Sequence, residues 1–551
     1  MVKKMFNTLS LWGSAPIRTV GGAALLIALA GVGSRLLGFF RDRILASHFG
    51  AGDILDAYYT AFRLPDLVYS FLVLGALSAA FIPIFTELWS TEKKQEAWRL
   101  TSGVLYIVLF FIGCFSLLGM IFSLELTRLL APGFTGEKQA MVAMLTRIML
   151  LSPLFLAASS IFGGVLVSFK QFVAYSVAPI FYNIGIIFGV AVLAPHIGVA
   201  GLGWGVVIGS FLHMIVQYPS LSRTGFRFQG MFFTAWKDQG VRRVMKLMVP
   251  RTLGMAVNQV SLLVMTIFAS TLVSGSLAAF TLANNIQGVP LGLFGIAFSL
   301  AAFPSLSLFA AGKKDKEFFL MLSETTRRIL FFVVPLSIFM IIFRAQFVRV
   351  ILGTGHFGWQ DTITTFEVLK FLAISLFAQS LIPLFARAFF ALQNTKTPLY
   401  IALVSEGVHI ALLPIVLPLY AAQGLAIAFS ISTILNVALL YIFLRHKLSY
   451  WDDKDIFWPT LKIVAAALLA GLVAQFSKSV FALTTDGLDT FVEVFLQLLS
   501  GLIIGGGAFI VFCYWFKIEE LERVRHFLVY KIFRQPETAA LTEDHPERGD
   551  W

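Results

Sequence analysis

Residues 33–59 read GSRLLGFFRDRILASHFGAGDILDAYY. They form the end of one apolar helix, a short turn carrying Gly50 and Gly52, and the start of a second helix. Arg35 falls inside the apolar run, about sixteen residues from its start, a depth that one membrane-crossing helix covers at about 1.5 Å per residue. Arg41, Asp42, Arg43 and Asp56 follow closely. A charge inside a membrane span is costly, so it faces a partner or a water-filled cavity, or it snorkels to the interface. Either reading holds for Arg35 or Arg41 alone. A whole cluster with an acid across the turn fits the first better.

Composition sets the solvent. Hydrophobic residues make up 58% of the 551 and charged ones 13%, about half the share of charged residues in a soluble domain, and mean hydropathy is +0.84. The chain therefore reads as an all-α polytopic membrane protein. No cleavable leader is expected, because Lys3, Lys4 and Arg18 are scattered through a mixed opening segment. Cys114 and Cys513 both sit in apolar runs and give neither a disulfide framework nor a metal spacing. Walker-type phosphate loops and HExxH are absent from the sequence, which argues against an enzyme and against an ATP-driven engine.

Counting apolar stretches of spanning length gives about fourteen transmembrane helices, from near 19–40 to near 491–516. With the N-terminus placed in the cytoplasm, the inner segments collect about 28 Lys and Arg and the outer ones about six. This asymmetry predicts both termini inside and an even number of crossings. It also explains the net charge of +12 without nucleic acid. The longest basic loop, near 220–246, divides the chain into six spans and eight.

Several spans carry proline. Pro65 in the second and Pro290 in the second after the divide occupy corresponding points, which suggests two repeated halves with hinge points there; a static packing kink is the alternative. Gly201, Gly205 and Gly209 recur every fourth residue, as do Gly501 and Gly505, a spacing that lets helices approach closely. Glu406 and His409 lie three residues apart at mid-depth, on one helix face. Such a Glu is protonated, paired with the His, or bound to a cation. Asn258, Gln259 and Asn285 are further mid-span amides, a residue type that more often joins helices than binds ligands.

At SRLLGFFRDRILASHFGAGDILDAYYTAFRLPDL (residues 34–67) the chain resembles the opening of the MurJ/MviN family of lipid II flippases. Further matches follow in order: LAPGF at 130–134, SVAPIFYNIGII at 176–187, VPLGLFGIAFSLAAFPSLS at 289–307 and FFALQNTKTP at 389–398. The resemblance places the chain in the multidrug/oligosaccharidyl-lipid/polysaccharide (MOP) exporter superfamily. It implies two lobes around a central cavity, residues 1–220 and 221–448, two C-terminal helices over 449–520 that hold a groove for a lipid tail, and a cytoplasmic tail over 521–551. It further implies a bacterial inner-membrane protein, taken here as a monomer, whose partners are lipid II or a similar polyprenyl-pyrophosphate glycolipid and the surrounding lipids.

The family's cavity arginines map onto Arg35 and Arg41 and its acid after the turn onto Asp56, so the resemblance assigns Arg35 and Arg41 to the pyrophosphate, with Arg63 in support, and Asp56 to a salt bridge that orients or gates them. Tyr69, Leu74 and Asn285 stand where well-known members carry charged residues, which lowers the cavity charge and leaves another polyprenyl-linked glycan or an amphipathic compound as the alternative cargo. No cofactor is expected. Glu406, His409 and Asn258 are the candidates for a coupling cation, Na+ or H+, with the membrane potential as the other energy source.

Overall fold

The computed structural model describes residues 20–71, 81–230, 234–483 and 490–533, with 20–25, 28, 249–258 and 527–533 described by backbone alone. The described residues form helices and turns with no strand. Nine helices among them are long and apolar enough to cross a membrane, or ten if the bent pair Trp359–Ile374 and Leu376–Ala391 is one span. One of the nine, Lys396–Lys447, has 52 residues, about 78 Å of helix and far more than one crossing needs. It covers the expected eleventh and twelfth spans and breaks at Ala421, where φ is +46°. Pro414 and Pro418, just upstream, lack the N–H that would continue the ladder.

Surrounded by lipid, apolar side chains gain little from leaving one another's neighbours, so packing and polar contacts decide which faces meet. Lys94–Ile121 illustrates the division. Val104, Val108 and Ile112, spaced by four, are buried, while Phe110, Phe115 and Leu117 remain exposed on the outside. The glycine repeat works by the same rule. A Cβ at Gly205 would lie 2.7 Å from the Cα of Gly189, and one at Gly201 2.5 Å from the backbone nitrogen of Ala194. Phe172–Phe188 and Ala200–Ile215 are thereby held in backbone contact.

Three apolar clusters hold the bundle. One lies within the first half, around Phe81, Phe85, Val104, Ile161 and Phe162. A second joins residues 45–61 and 131–206 of the first half to residues 265–448 of the second. Where the halves meet, a Cβ on Gly275 would collide with the Ala51 carbonyl and one on Gly133 with that of Ser270; Gly275 also needs its φ of +85°. The third cluster packs Asp453–Leu483 and Phe491–Trp515 on Asp315–Ile342, where Phe343 and Phe339 press against Gly501 and Gly505.

Candidate functional site

Arg35 projects inward from Val20–Phe49. Its Nη1 donates to the carbonyls of Gly288 (3.0 Å) and Val289 (3.2 Å) in the opposite half. The guanidinium lies flat on Gly292, where a Cβ would overlap it. These carbonyls sit where Ser276–Pro290 gives way to the π-helical turn Leu291–Ile296. Arg35 thus spans the two halves, and its Nε and Nη2 have no hydrogen-bond partner among the described residues. It also lines a polar cavity of about 490 Å3 with Ser34, Tyr69, Ser159, Tyr175 and Gln217. The side chain thus turns toward the other half of the bundle.

Arg41 is also internal, and its donors are taken. Nε and Nη2 reach Oδ1 of Asp42 at 2.9 and 2.7 Å, and Nη1 reaches Oδ1 of Asn183 at 3.1 Å. The other Asp42 oxygen accepts from Nδ2 of Asn285 at 2.8 Å. One ion pair and two amides tie Val20–Phe49 to Phe172–Phe188 and to Ser276–Pro290. Asn285, expected among the substrate-binding groups, is a strut of this network.

The expected salt bridge from Asp56 to the arginines is not made. Asp56 is buried and accepts from the backbone N–H groups of Gly275 and Ala278, each at 2.8 Å, and from Nζ of Lys138 at 2.8 Å. A carboxylate at the amino end of Ser276–Pro290 satisfies amides that have no partner within the helix and meets the positive end of its dipole. Lys138 also pairs with Asp53 at 2.6 Å. Asp56 is thus a latch between the halves, away from the cavity, and the acid beside Arg41 is Asp42, while Asp66 faces Arg63.

Arg63 donates Nε to Thr266 Oγ1 at 2.8 Å, a further contact across the halves. Pro65 stands in the first turn of the short helix Arg63–Tyr69, and the hydrogen-bond ladder is interrupted before it at Phe62, whose φ of −68° and ψ of −25° remain helical. Pro290 closes its α-helical segment before the π turn, a combination that bends helices. His409 Nδ1 lies 3.1 Å from Glu406 Oε1, the contact the three-residue spacing predicts, and Ser261 Oγ is 3.5 Å away. His409 is fully buried and its Nε2 has no partner among the described residues. Leu74 and the side chain of Asn258 lie outside the described residues. Sequence reasoning overlooked Asn183, Lys138 and the Ser159–His213–Gln217 group. A lone Asn in SVAPIFYNIGII was the one available signal.

The family model for lipid II flippase MurJ matches residues 45–491. The chain belongs to the MurJ family. The family's "Lipid II flippase MurJ" from Burkholderia cenocepacia is 29% identical over 462 residues, 83% of this chain and 88% of the relative. The "Probable lipid II flippase MurJ" of Bdellovibrio bacteriovorus is 28% identical over 511 residues, covering 91% and 96%. Among solved structures, a lipid II flippase MurJ in an inward closed conformation superposes with a TM-score of 0.73 at 24% identity, covering 93% of this chain and all (100%) of that one. An inward-facing MATE multidrug transporter of the MOP superfamily gives 0.62 at 13% identity, over 76% of this chain and 94% of that one. The shared fold is that of MOP-type transporters, as the resemblance implied.

Proposed function

We propose that this protein flips lipid II across the bacterial inner membrane by alternating access. The observation that carries the reading is Arg35: a guanidinium with two donor nitrogens unpartnered among the described residues, inside the bundle, at the wall of a polar cavity and against the π-helical turn of the other half. Arg suits a pyrophosphate because its planar fork matches phosphate oxygens and it keeps its charge when desolvated. Arg41 and Arg63 add positive charge nearby, and Arg41 becomes available to an anion when the Asp42 contact opens. Residues 1–220 and 221–448 act as the two lobes, with Pro290 and its π turn as the bending point and the interrupted ladder before Pro65 as its counterpart.

An apolar groove of about 850 Å3 supports a lipid-linked cargo. It runs between Asp315–Ile342, the bent pair, Lys396–Lys447 and Asp453–Leu483, and Leu330, Val334, Phe377, Phe385 and Leu468 line it. A polyprenyl tail fits such a surface while the headgroup stays in the polar cavity. Glu406 and His409, with Asn258, which lies three residues before the Ser261 that neighbours His409, form the cation-coupling group of this reading, and both termini face the cytoplasm in a monomer. The reduced cavity charge, with Tyr69 and Asn285 where relatives carry arginine, favours the second reading: a different polyprenyl-linked glycan.

Arg35→Ala is expected to abolish growth rescue in a strain depleted of its own flippase while the protein still reaches the membrane. Full rescue would remove the phosphate site. Native mass spectrometry of the purified protein separates the two cargoes by the mass of the lipid that copurifies.

A further inference from the structure

The apolar groove of about 850 Å3 runs on into a second stretch of about 310 Å3, with which it shares Ile338, Ile341 and Leu468. On Asp453–Leu483 the lining extends from Ile456 to Gln475, about 28 Å of helix at about 1.5 Å per residue. That is nearly the full thickness of the hydrocarbon core, about 30 Å. Three helix faces wall the groove, and each meets a cation one turn beyond its lining. Val334, Ile338 and Ile341 lead to Arg344. Leu468, Leu472 and Gln475 lead to Lys478, and Ile374 leads back to Lys370. Arg344 Nη1 donates to the Ile341 carbonyl at 3.2 Å and Lys478 Nζ to the Ile342 carbonyl at 2.8 Å, so both cations hang on the last turn of Asp315–Ile342. Glu367 pairs with Arg344 Nε at 3.4 Å and with Lys370 Nζ at 3.1 Å. One carboxylate thus faces three cations. Helix-end carbonyls account for one donor each on Arg344 and Lys478; they account for neither the remaining donors nor Lys370. Arg344 opens the helix Arg344–Leu352, whose Ile351 carbonyl accepts from Arg43 at 3.3 Å. The cations therefore lie toward the end of the bundle that carries the turn after the first helix, the outer end when the N-terminus is cytoplasmic.

We propose that Arg344, Lys370 and Lys478 form an outer station for the pyrophosphate of the cargo, holding it after it has crossed while the polyprenyl chain lies in the groove. The inference rests on the reading of the protein as a carrier of a polyprenyl-pyrophosphate lipid. A pyrophosphate supplies the negative charge this cluster lacks, and hydrogen bonds from cations to phosphate oxygens are the strong kind. Arg344 offers a planar fork, and the two lysines act as point charges. Arg344 and Lys370 keep 33% and 34% of their side chains exposed, so an anion can reach them. The length of the groove selects the tail. The chains of a diacyl phospholipid reach about the midplane, half of the about 30 Å core, and would leave the inner half of the groove bare. A polyprenyl chain of spanning length covers all of it. Leu468 and Leu472 are exposed, so the groove opens to the surrounding lipid and the chain enters sideways. Arg35 lies inside the bundle and this station at its outer rim, so the two sets of cations serve the same anion on the two sides of its passage.

The test compares three probes on the purified full-length protein by native mass spectrometry: polyprenyl pyrophosphate, the uncharged polyprenol of the same length, and phosphatidylglycerol. Wild type is expected to retain the pyrophosphate about tenfold better than the polyprenol, and Arg35→Ala to keep about threefold of that preference. Adding Arg344→Gln and Lys478→Gln should erase the rest. Gln keeps a donor for the helix-end carbonyl and removes only the charge; adding Lys478→Arg instead, which keeps both, should leave the Arg35→Ala value unchanged. Should the two Gln changes unfold the protein, Lys370→Gln, which caps no helix, carries the same expectation on the Arg35→Ala background. If Arg35→Ala alone removes the whole preference, or if the preference survives loss of the rim charges, the outer station is wrong while the carrier reading stands. If phosphatidylglycerol is held as firmly as the pyrophosphate and is lost in the same variants, the site belongs to a phospholipid and its assignment to the cargo is wrong. If wild type holds the polyprenol and its pyrophosphate alike, both readings fail.

Discussion

Arg41 and Asp42 form the tightest internal ion pair of the bundle's entrance helix, and sequence logic points away from it. Neighbouring residues on a helix project about 100° apart and do not ordinarily face each other. The pair forms because a long guanidinium folds back, and because Asn183 and Asn285 from two other helices fill the remaining positions. Neither amide's position relative to Arg41 can be read from spacing along one chain, which is why Asp56 looked like the better partner. Removing one member of a buried pair leaves an uncompensated charge and costs about 3–5 kcal/mol. Asp42→Ala should therefore lower the melting temperature of the detergent-solubilised protein markedly, and adding Arg41→Met should restore much of it; equal losses from the single and double changes would contradict the pairing. Asp53 offers a milder case outside the spans. The Lys138 ammonium, and then Ser274, hold its carboxyl below the ordinary value of 3.8. A lowered folded value means the contribution is present above 3.8 and disappears as pH falls through the depressed one. The melting-temperature gap between wild type and Asp53→Asn should thus be constant near neutrality and close below about pH 4; the side chain is largely exposed, so its size is about 0–1 kcal/mol.

At the scale of elements, regularity in the chain is what made structure legible. The four-residue glycine spacing needs only a helix to become a stripe, and the structure seats that stripe on Gly185 and Gly189. Gly205→Leu should prevent the pair from closing, because its Cβ meets backbone at 2.7 Å and backbone cannot step aside. Yield in the membrane and thermal stability should both collapse, whereas Gly507→Ala, with nothing within 4 Å of its Cβ, should be neutral. A purified Gly205→Leu protein that melts like wild type would show that these helices do not need backbone contact. Proline was less informative. Pro65 interrupts the hydrogen-bond ladder by lacking the N–H that would reach Ala61, yet the backbone at Phe62 stays helical, with φ −68° and ψ −25°. Pro290 is followed by a π turn, beside carbonyls that Arg35 engages, and Pro414 and Pro418 precede the break at Ala421.

For the whole molecule, the informative contacts are those between residues more than two hundred positions apart, which no local pattern announces. Asp56 grips the N–H groups of Gly275 and Ala278 at the point where Ala51 abuts Gly275. Alternating access requires that this end part when the other closes, so the latch is part of what sets the balance between states. A free-energy change of 1.4 kcal/mol shifts that balance tenfold, and breaking the latch removes a buried carboxylate with three partners. Ser276, 2% exposed and next to Gly275, reports on it. In intact cells expressing Ser276→Cys, a membrane-impermeant maleimide should react slowly, and adding Asp56→Ala should raise the rate at least about tenfold. Because both termini are taken to lie in the cytoplasm, the turn after the first span faces outward and the reagent reaches Cys from outside the cell. An unchanged rate in the double variant would mean that Asp56 does not hold the halves together, and labelling that occurs only after the membrane is permeabilised would reverse the proposed orientation.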